Sequence, residues 1–342
     1  MRKIIGFLLV FCLVLTGCAG SGQEEESAQV GYKPPEVVGS TVQTGDKDEI
    51  IKEEEEAQKV TVPTGTGEQV EVVDYTGKFP VITEKNTFST FNINMKNENG
   101  KDDQSYATRL KLLMELLVKY NPDVITFQEV GSDWMDFIVP QLENIYDYYL
   151  IYPQKEDKTT ANPIFFKIEK FEDESGGCFW VSDTPEEESP APDGKYYNCT
   201  WLQLKEKASG NSVYIFNSKL SPEVGQKGAE IIRSKCEFVG WKKAIVCNLD
   251  LGAALDSAAG TVLQKNLFNS NTTNNATPTS YVYSGAGDIH DFSLYTKVCL
   301  SPKTYKVVTD RIDGKMVSDH NPIFSEFSIN TETLNYEDQF IF

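Results

Sequence analysis

From Asn86 to about Ile329 short apolar runs recur, many closing on a polar residue and separated by turns or helix-length segments. That pattern constrains the fold more than any other feature of the chain. Residues 87–93 form a β-type run. Residues 105–120 place Leu110, Leu113, Leu116 and Leu117 at helical spacing, and Asn121-Pro122 ends the segment. Residues 123–127 read as a buried strand and 134–142 as a shorter helix. Strand-like runs follow at 148–152, 163–168, 178–182, 199–204 and 213–217. A helix over 226–239 is anchored by Ile231, Ile232 and Phe238, a buried strand covers 244–249, a helix-like stretch covers 255–268, and strands close the chain at 292–296 and 322–327. This order suits two packed sheets with helices outside. The polar residues at strand ends are Asn92, Gln128-Glu129, Asn217, and Asn248 with Asp250. Ser318-Asp319-His320 precedes the last strand. Such ends can converge on one site.

Composition narrows the chemistry. The net charge is −19, from 51 acidic against 32 basic side chains, which excludes a generic nucleic-acid coat because phosphate-backbone affinity comes from Lys and Arg. Only His290 and His320 are present, so a three-His zinc site is impossible. No Gly-x-Ser-x-Gly elbow surrounds a plausible nucleophile, and no P-loop pattern occurs. Seven cysteines are too few and too scattered for a disulfide scaffold in 342 residues. Apart from Cys12 and Cys18 there are five, an odd number with no CxxC spacing, and they read as free thiols buried as small hydrophobes.

The N-terminal part has a different texture. Arg2 and Lys3 precede an apolar run from Ile4 to Leu15, too short to span a bilayer as a mature helix and typical of a secretory signal. Leu15-Thr16-Gly17-Cys18 resembles the bacterial lipobox. That likeness implies a signal peptide over 1–18, acyl chains on Cys18, and a protein anchored at the extracytoplasmic face of a bacterial cell membrane through lipid alone. Residues 19–80 carry about nine net negative charges, with acidic runs at Glu24–Glu26 and Glu53–Glu56. They read as a flexible acidic tether, with room for a short hairpin between Val60 and Tyr75. A folded domain is expected over 81–330, and a tail over 331–342.

The motifs resemble those of the endonuclease/exonuclease/phosphatase superfamily, whose fold is that of deoxyribonuclease I. The first is Phe91-Asn92-Ile93. The second is Pro122-Asp123-Val124-Ile125-Thr126-Phe127-Gln128-Glu129-Val130. Asn162 to Lys167, Phe179 to Pro185, Thr200-Trp201 and Lys227 to Ile231 are similar to linking segments of bacterial members. Ser318-Asp319-His320-Asn321-Pro322 is similar to the closing motif. Their order over most of the chain makes coincidence improbable. The resemblance implies an α/β, four-layer α/β/β/α sandwich of two mostly antiparallel sheets flanked by helices. It implies phosphoester hydrolysis with Mg²⁺ or Mn²⁺, a hard cation suited to oxygen ligands. Glu129 is then the main metal ligand, helped by Asn92 and Asp319. His320 contacts the phosphate, Asp291 holds His320, and Asn217 lies on the substrate.

Three departures weaken that expectation. The superfamily usually has Asn-Thr-His-Leu where this chain has Asn217-Ser218-Lys219-Leu220, so Lys219 stands in for the first catalytic His. It usually has Gly-Asp-Phe-Asn where this chain has Cys247-Asn248-Leu249-Asp250, so acid and amide have exchanged places. Asn248 cannot accept a proton at neutral pH, and a two-residue displacement along a strand moves a carboxylate by roughly 6–7 Å. The Arg that relatives tend to carry before the Thr-Trp strand is replaced by Tyr196-Tyr197-Asn198-Cys199. Two readings follow: a surface-anchored phosphoester hydrolase with impaired catalysis, in which Asp250 or Lys219 takes over lost roles, or an inactive relative serving as a ligand-binding or interaction module. The loops 154–161, 186–195 and 269–279 are acidic or uncharged, so the partner expected is a small phosphorylated molecule or none, not long nucleic acid, with the protein a monomer.

Overall fold

The computed structural model describes residues 60–63, 69–72, 75–80, 84–96, 98, 100–101, 104–280, 282 and 287–331. The signal, Cys18, most of the acidic segment and all but the first residue of the tail lie outside the described residues. Inside the segment read as a tether, strands β1 (Val60–Pro63) and β2 (Gln69–Val72) pair antiparallel. Phe79 is buried against the ring of Tyr146, with centroids 5.8 Å apart, so packed structure begins before residue 81.

Two six-stranded sheets build the rest. The first contains β3 (Thr87–Asn94), β4 (Val124–Gln128), β5 (Tyr146–Tyr149), β6 (Ile164–Lys167), β13 (Leu300–Val307) and β14 (Ile323–Ile329), in the order β13-β14-β3-β4-β6-β5. The second contains β7 (Phe171–Trp180), β8 (Asn198–Glu206), β9 (Ser212–Lys219), β10 (Ala244–Asp250), β11 (Phe268–Asn269) and β12 (Asp291–Tyr295), in the order β11-β12-β10-β9-β8-β7. Each sheet is antiparallel except at its centre, where β3 pairs parallel with β4 and β9 with β10. A parallel pair needs a crossover. Helix α1 (Tyr106–Tyr120) supplies it in the first sheet and α3 (Gly225–Val239) in the second. Ser105 caps α1 by accepting the Thr108 N–H, and Asn121, at φ 47°, closes it in the left-handed conformation. The expected four-layer sandwich is therefore present.

Strand alternation decides what each layer contains. Phe91, Ile93, Ile125 and Phe127 face α1 and α2 (Ser132–Leu142) in one apolar cluster. Ile245, Cys247, Leu249 and Leu294 face α3 in another, which also takes in Leu263 of α4 (Ala258–Leu263). Between the sheets, Phe88, Val124, Val213, Ile215, Val246, Tyr295 and Phe327 form a third. That middle layer is apolar at one end only. Two residues nearer the cleft the same faces carry Thr126, Asn217, Asn248 and Ser293, and β3 carries Thr90 and then Asn92, all buried.

Several elements differ from the sequence reading. The helix-like stretch 255–268 yields only the six-residue α4, followed by β11. Gln264 folds back to donate to the Leu255 carbonyl, and a side chain at Gly260 would meet that same carbonyl at 2.2 Å. Strand β5 sits earlier than the expected 148–152. Strand β7 begins at Phe171 rather than Cys178, because residues 172–176 lie on an exposed sheet edge and lack apolar alternation. The other sheet's edge strand β13 escaped the sequence reading for the same reason.

Candidate active site

The site forms because both parallel pairs end in the same cleft. Asn94, the last residue of β3, donates to Asp250 Oδ2 at the end of β10 (2.8 Å). Lys219, the last residue of β9, lies with its Nζ 3.4 Å from Glu129 Oε2, just beyond β4. The strand ends of one sheet thus meet those of the other.

Register arranges the second sheet into rows. At the mouth, Lys219, Asp250 and Asp291 are successive cross-strand partners. One step deeper, Asn217, Asn248 and Ser293 form an amide-hydroxyl row. Deeper still are Ile215, Val246 and Tyr295. The site is a charged rim over a polar neutral layer over hydrocarbon. Within the neutral layer, Gln128 Nε2 donates to Asn92 Oδ1 (2.6 Å) and Asn217 Oδ1 (2.7 Å), and Thr126 Oγ1 donates to Asn92 (3.0 Å). Asn217 donates to the carbonyls of Phe127 and Pro163. These bonds tie the two sheets together beneath the rim. Asn248 differs: it is fully buried, and neither amide atom has a hydrogen-bond partner among the described residues. A buried amide left unpaired costs about 1–3 kcal/mol.

His320 Nδ1 lies 2.9 Å from Asp291 Oδ2, and both side chains are buried. Thr279 Oγ1 accepts the Asp291 N–H at 3.0 Å and fixes the strand start. Burial opposes charge on His320, but Asp291, Asp250 and Asp319 outweigh it and push the imidazole up to about 9. Burial raises the Asp291 carboxyl, with Asp250 adding to the rise and His320 opposing it. For Asp250, burial is outweighed by Lys219, His320 and Asn94, and its carboxyl is held below the usual range. Asp250 is also fully engaged: Oδ1 accepts the Gly252 N–H (2.9 Å) and Oδ2 accepts from Lys219 Nζ (2.9 Å) and Asn94. The Lys219 ammonium loses solvation, yet the carboxylates around it raise its pKa, so it is a fixed charge at neutral pH.

Glu129 reaches the rim from a left-handed backbone, φ 55°. This conformation is rare outside Gly, Asn and Asp, and it costs energy that the surroundings must offset. It breaks the strand alternation and turns the carboxylate toward Lys219. Asp319 is held beside the rim: Oδ1 accepts from Ser318 Oγ (3.3 Å), and Oδ2 lies 3.7 Å from Lys96 Nζ.

The structure therefore brings Glu129, Lys219, Asp250, Asp291 and His320 together. It sets Asn92, Asn217 and Asn248 in the layer below and Asp319 beside them. Asn94 was missed by the sequence reading. Its signal was the spacing Asn92-Ile93-Asn94, which puts both amides on one strand face.

The pattern of the Endonuclease/Exonuclease/phosphatase family matches residues 89–320, and the chain belongs to that family. Solved structures agree on the fold. An endonuclease/exonuclease/phosphatase from Bacteroides vulgatus is 18% identical at a TM-score of 0.65, covering 72% of this chain and 100% of its own. A mannosyl-6-phosphatase from Bacteroides thetaiotaomicron is 19% identical at 0.64, covering 70% and 99%. The human Nocturnin catalytic domain, solved with sulfate bound, is 15% identical at 0.57, covering 73% and 96%. No curated protein sequence matches the chain significantly.

The family generally depends on a divalent metal, and a buried group of that kind is present. Asp250, Asp291 and His320 bring donor atoms within 4.8 Å of one another, and Asp291 Oδ1 has no hydrogen-bond partner among the described residues. The oxygens are those a hard cation takes. The arrangement as a whole does not fit one, however, because Lys219 is bonded to Asp250, stands close to Glu129, and both oxygens of Asp250 are engaged.

Proposed function

We propose that this chain binds a small phosphoester in the cleft of a phosphoester hydrolase fold and turns it over poorly. The observation that carries the reading is Asn248: an uncharged, unpartnered, fully buried amide where the family's motif has its aspartate. At that position an attacking water meets an amide that accepts no proton, and loss of a general base costs roughly 10²–10⁴-fold in rate. Binding is better served. His320 is protonated at neutral pH and donates rather than accepts, and Lys219 adds a second cation. Solved neighbours described as a mannosyl-6-phosphatase and as holding sulfate fit a compact, tetrahedral, anionic ligand.

The reading includes attachment to the outer face of a bacterial membrane through lipid on Cys18, with the protein a monomer. No helix among the described residues is long and apolar enough to cross a membrane. The test is the triple variant Lys219→His, Asn248→Asp, Asp250→Asn, assayed with Mg²⁺ and Mn²⁺ on a panel of phosphomonoesters and phosphodiesters. Hydrolysis at least about 10²-fold above wild type supports the reading. A folded variant no faster than wild type removes it in favour of a working enzyme or an unrelated ligand.

A further inference from the structure

The rim holds three carboxylates, Glu129, Asp250 and Asp291, and two cations, Lys219 and His320. Three of these five side chains, Glu129, Asp291 and His320, stand where the family's motifs lead one to expect them; Asp250 and Lys219 are the departures. The placement of the lysine is specific. Lys219 is the register partner of Asp250, its Nζ lies 2.9 Å from Asp250 Oδ2, and it lies 3.4 Å from Glu129 Oε2 of the opposite sheet. The ammonium therefore bridges one carboxylate from each sheet. Without it Glu129 and Asp250 would face the same space as two carboxylates with no cation between them, a charge that a single divalent cation neutralises. With it, half that charge is met by the chain itself. The lone pairs are used as well: Asp250 accepts from Gly252, Asn94 and Lys219, leaving a metal with little of that carboxylate to coordinate.

We infer that Lys219 is the resident cation of this cleft: its ammonium occupies the place between Glu129 and Asp250 that a divalent metal would take, and so keeps the metal out. The exchange of Asn and Asp at positions 248 and 250 belongs to the same change, because it moves a carboxylate to the row where Lys219 stands. The inference rests on the reading of the cleft as a phosphate site, but its test uses no phosphate.

The full chain is titrated with Mn²⁺ alone, by calorimetry and by paramagnetic resonance of the free ion, as wild type, Lys219→Met, Lys219→Arg, Glu129→Gln and Lys219→Met with Glu129→Gln. The expected result is binding at least about tenfold tighter in Lys219→Met than in wild type, lost again in the double variant, with Lys219→Arg as metal-refractory as wild type. Wild type binding Mn²⁺ at micromolar concentration, with that binding abolished by Glu129→Gln, overturns the inference whether or not Lys219→Met folds. A folded Lys219→Met with no gain in affinity overturns it too. Phosphate binding, measured separately, bears on the parent reading alone.

Discussion

Replacing Asp291 with Asn tests the electrostatics of the site at one bond. His320 titrates near 9 in the fold against an ordinary 6.5, which corresponds to about 3 kcal/mol favouring the charged ring in the folded state. Because the folded value lies above the unfolded one, this stabilisation is complete below about pH 6.5 and disappears as pH rises through 9. Asn at 291 keeps the shape and removes the charge. Burial then opposes protonation with only Asp250 and Asp319 left to favour it, so His320 should titrate below about 7. The stability gap between wild type and variant should be greatest near pH 6, no more than about 3 kcal/mol, since the variant also removes a carboxyl that burial disfavours. By pH 10 the gap should close or reverse, leaving wild type with a buried carboxylate and a neutral partner. Urea unfolding at pH 6, 8 and 10 measures the gap. Ring-proton resonances report the titration directly, with only His290 and His320 to assign. A His320 still titrating near 9 in the variant, or a gap constant with pH, would refute this reasoning.

Other consequences can be checked independently. Asp123 is buried at the far end of the sandwich, accepts from the Ser89 N–H and hydroxyl and from Lys170 Nζ (2.9 Å), and lies 3.6 Å from Lys167. Asp123→Ala should destabilise the fold by about 3–5 kcal/mol in urea melts, because two buried ammonium groups lose their carboxylate. The cysteines 178, 199, 236 and 247 are free thiols, and all but Cys178 are buried; a thiol reagent should modify Cys178 first and the other three only on unfolding. Cys18→Ala should abolish incorporation of labelled palmitate in a bacterial host and release the protein from the membrane fraction.

Much of this architecture was legible in the sequence, for physical reasons. The central strands lie covered on both faces, so they read as dense apolar runs, and their polar C-terminal residues marked the cleft. The first part of edge strand β7 and the whole of edge strand β13 were hidden because one face is wet and their side chains carry no apolar period. The site was legible by residue type and less so by depth. Asn92 and Asn94 are two residues apart on one face, yet only Asn94 reaches Asp250, while Asn92 is held by Thr126 and Gln128. Depth along a strand depends on its register with the strands on either side, which local pattern does not encode. The link between Lys219 and Asp250 is likewise a register fact. In sequence they are two unrelated departures from a motif; in the fold they are one ion pair.

The central claim, that the cleft holds a phosphoester better than it cleaves one, is tested most directly in a single vessel. Wild-type protein is titrated calorimetrically with a phosphomonoester such as mannose 6-phosphate in EDTA, and the contents are then assayed for inorganic phosphate after adding Mg²⁺. The account requires saturable binding, weakened in His320→Ala, with release slower than about 0.1 s⁻¹, below the ordinary range for enzymes. Turnover well above about 1 s⁻¹, abolished by Glu129→Gln and His320→Ala, would contradict it.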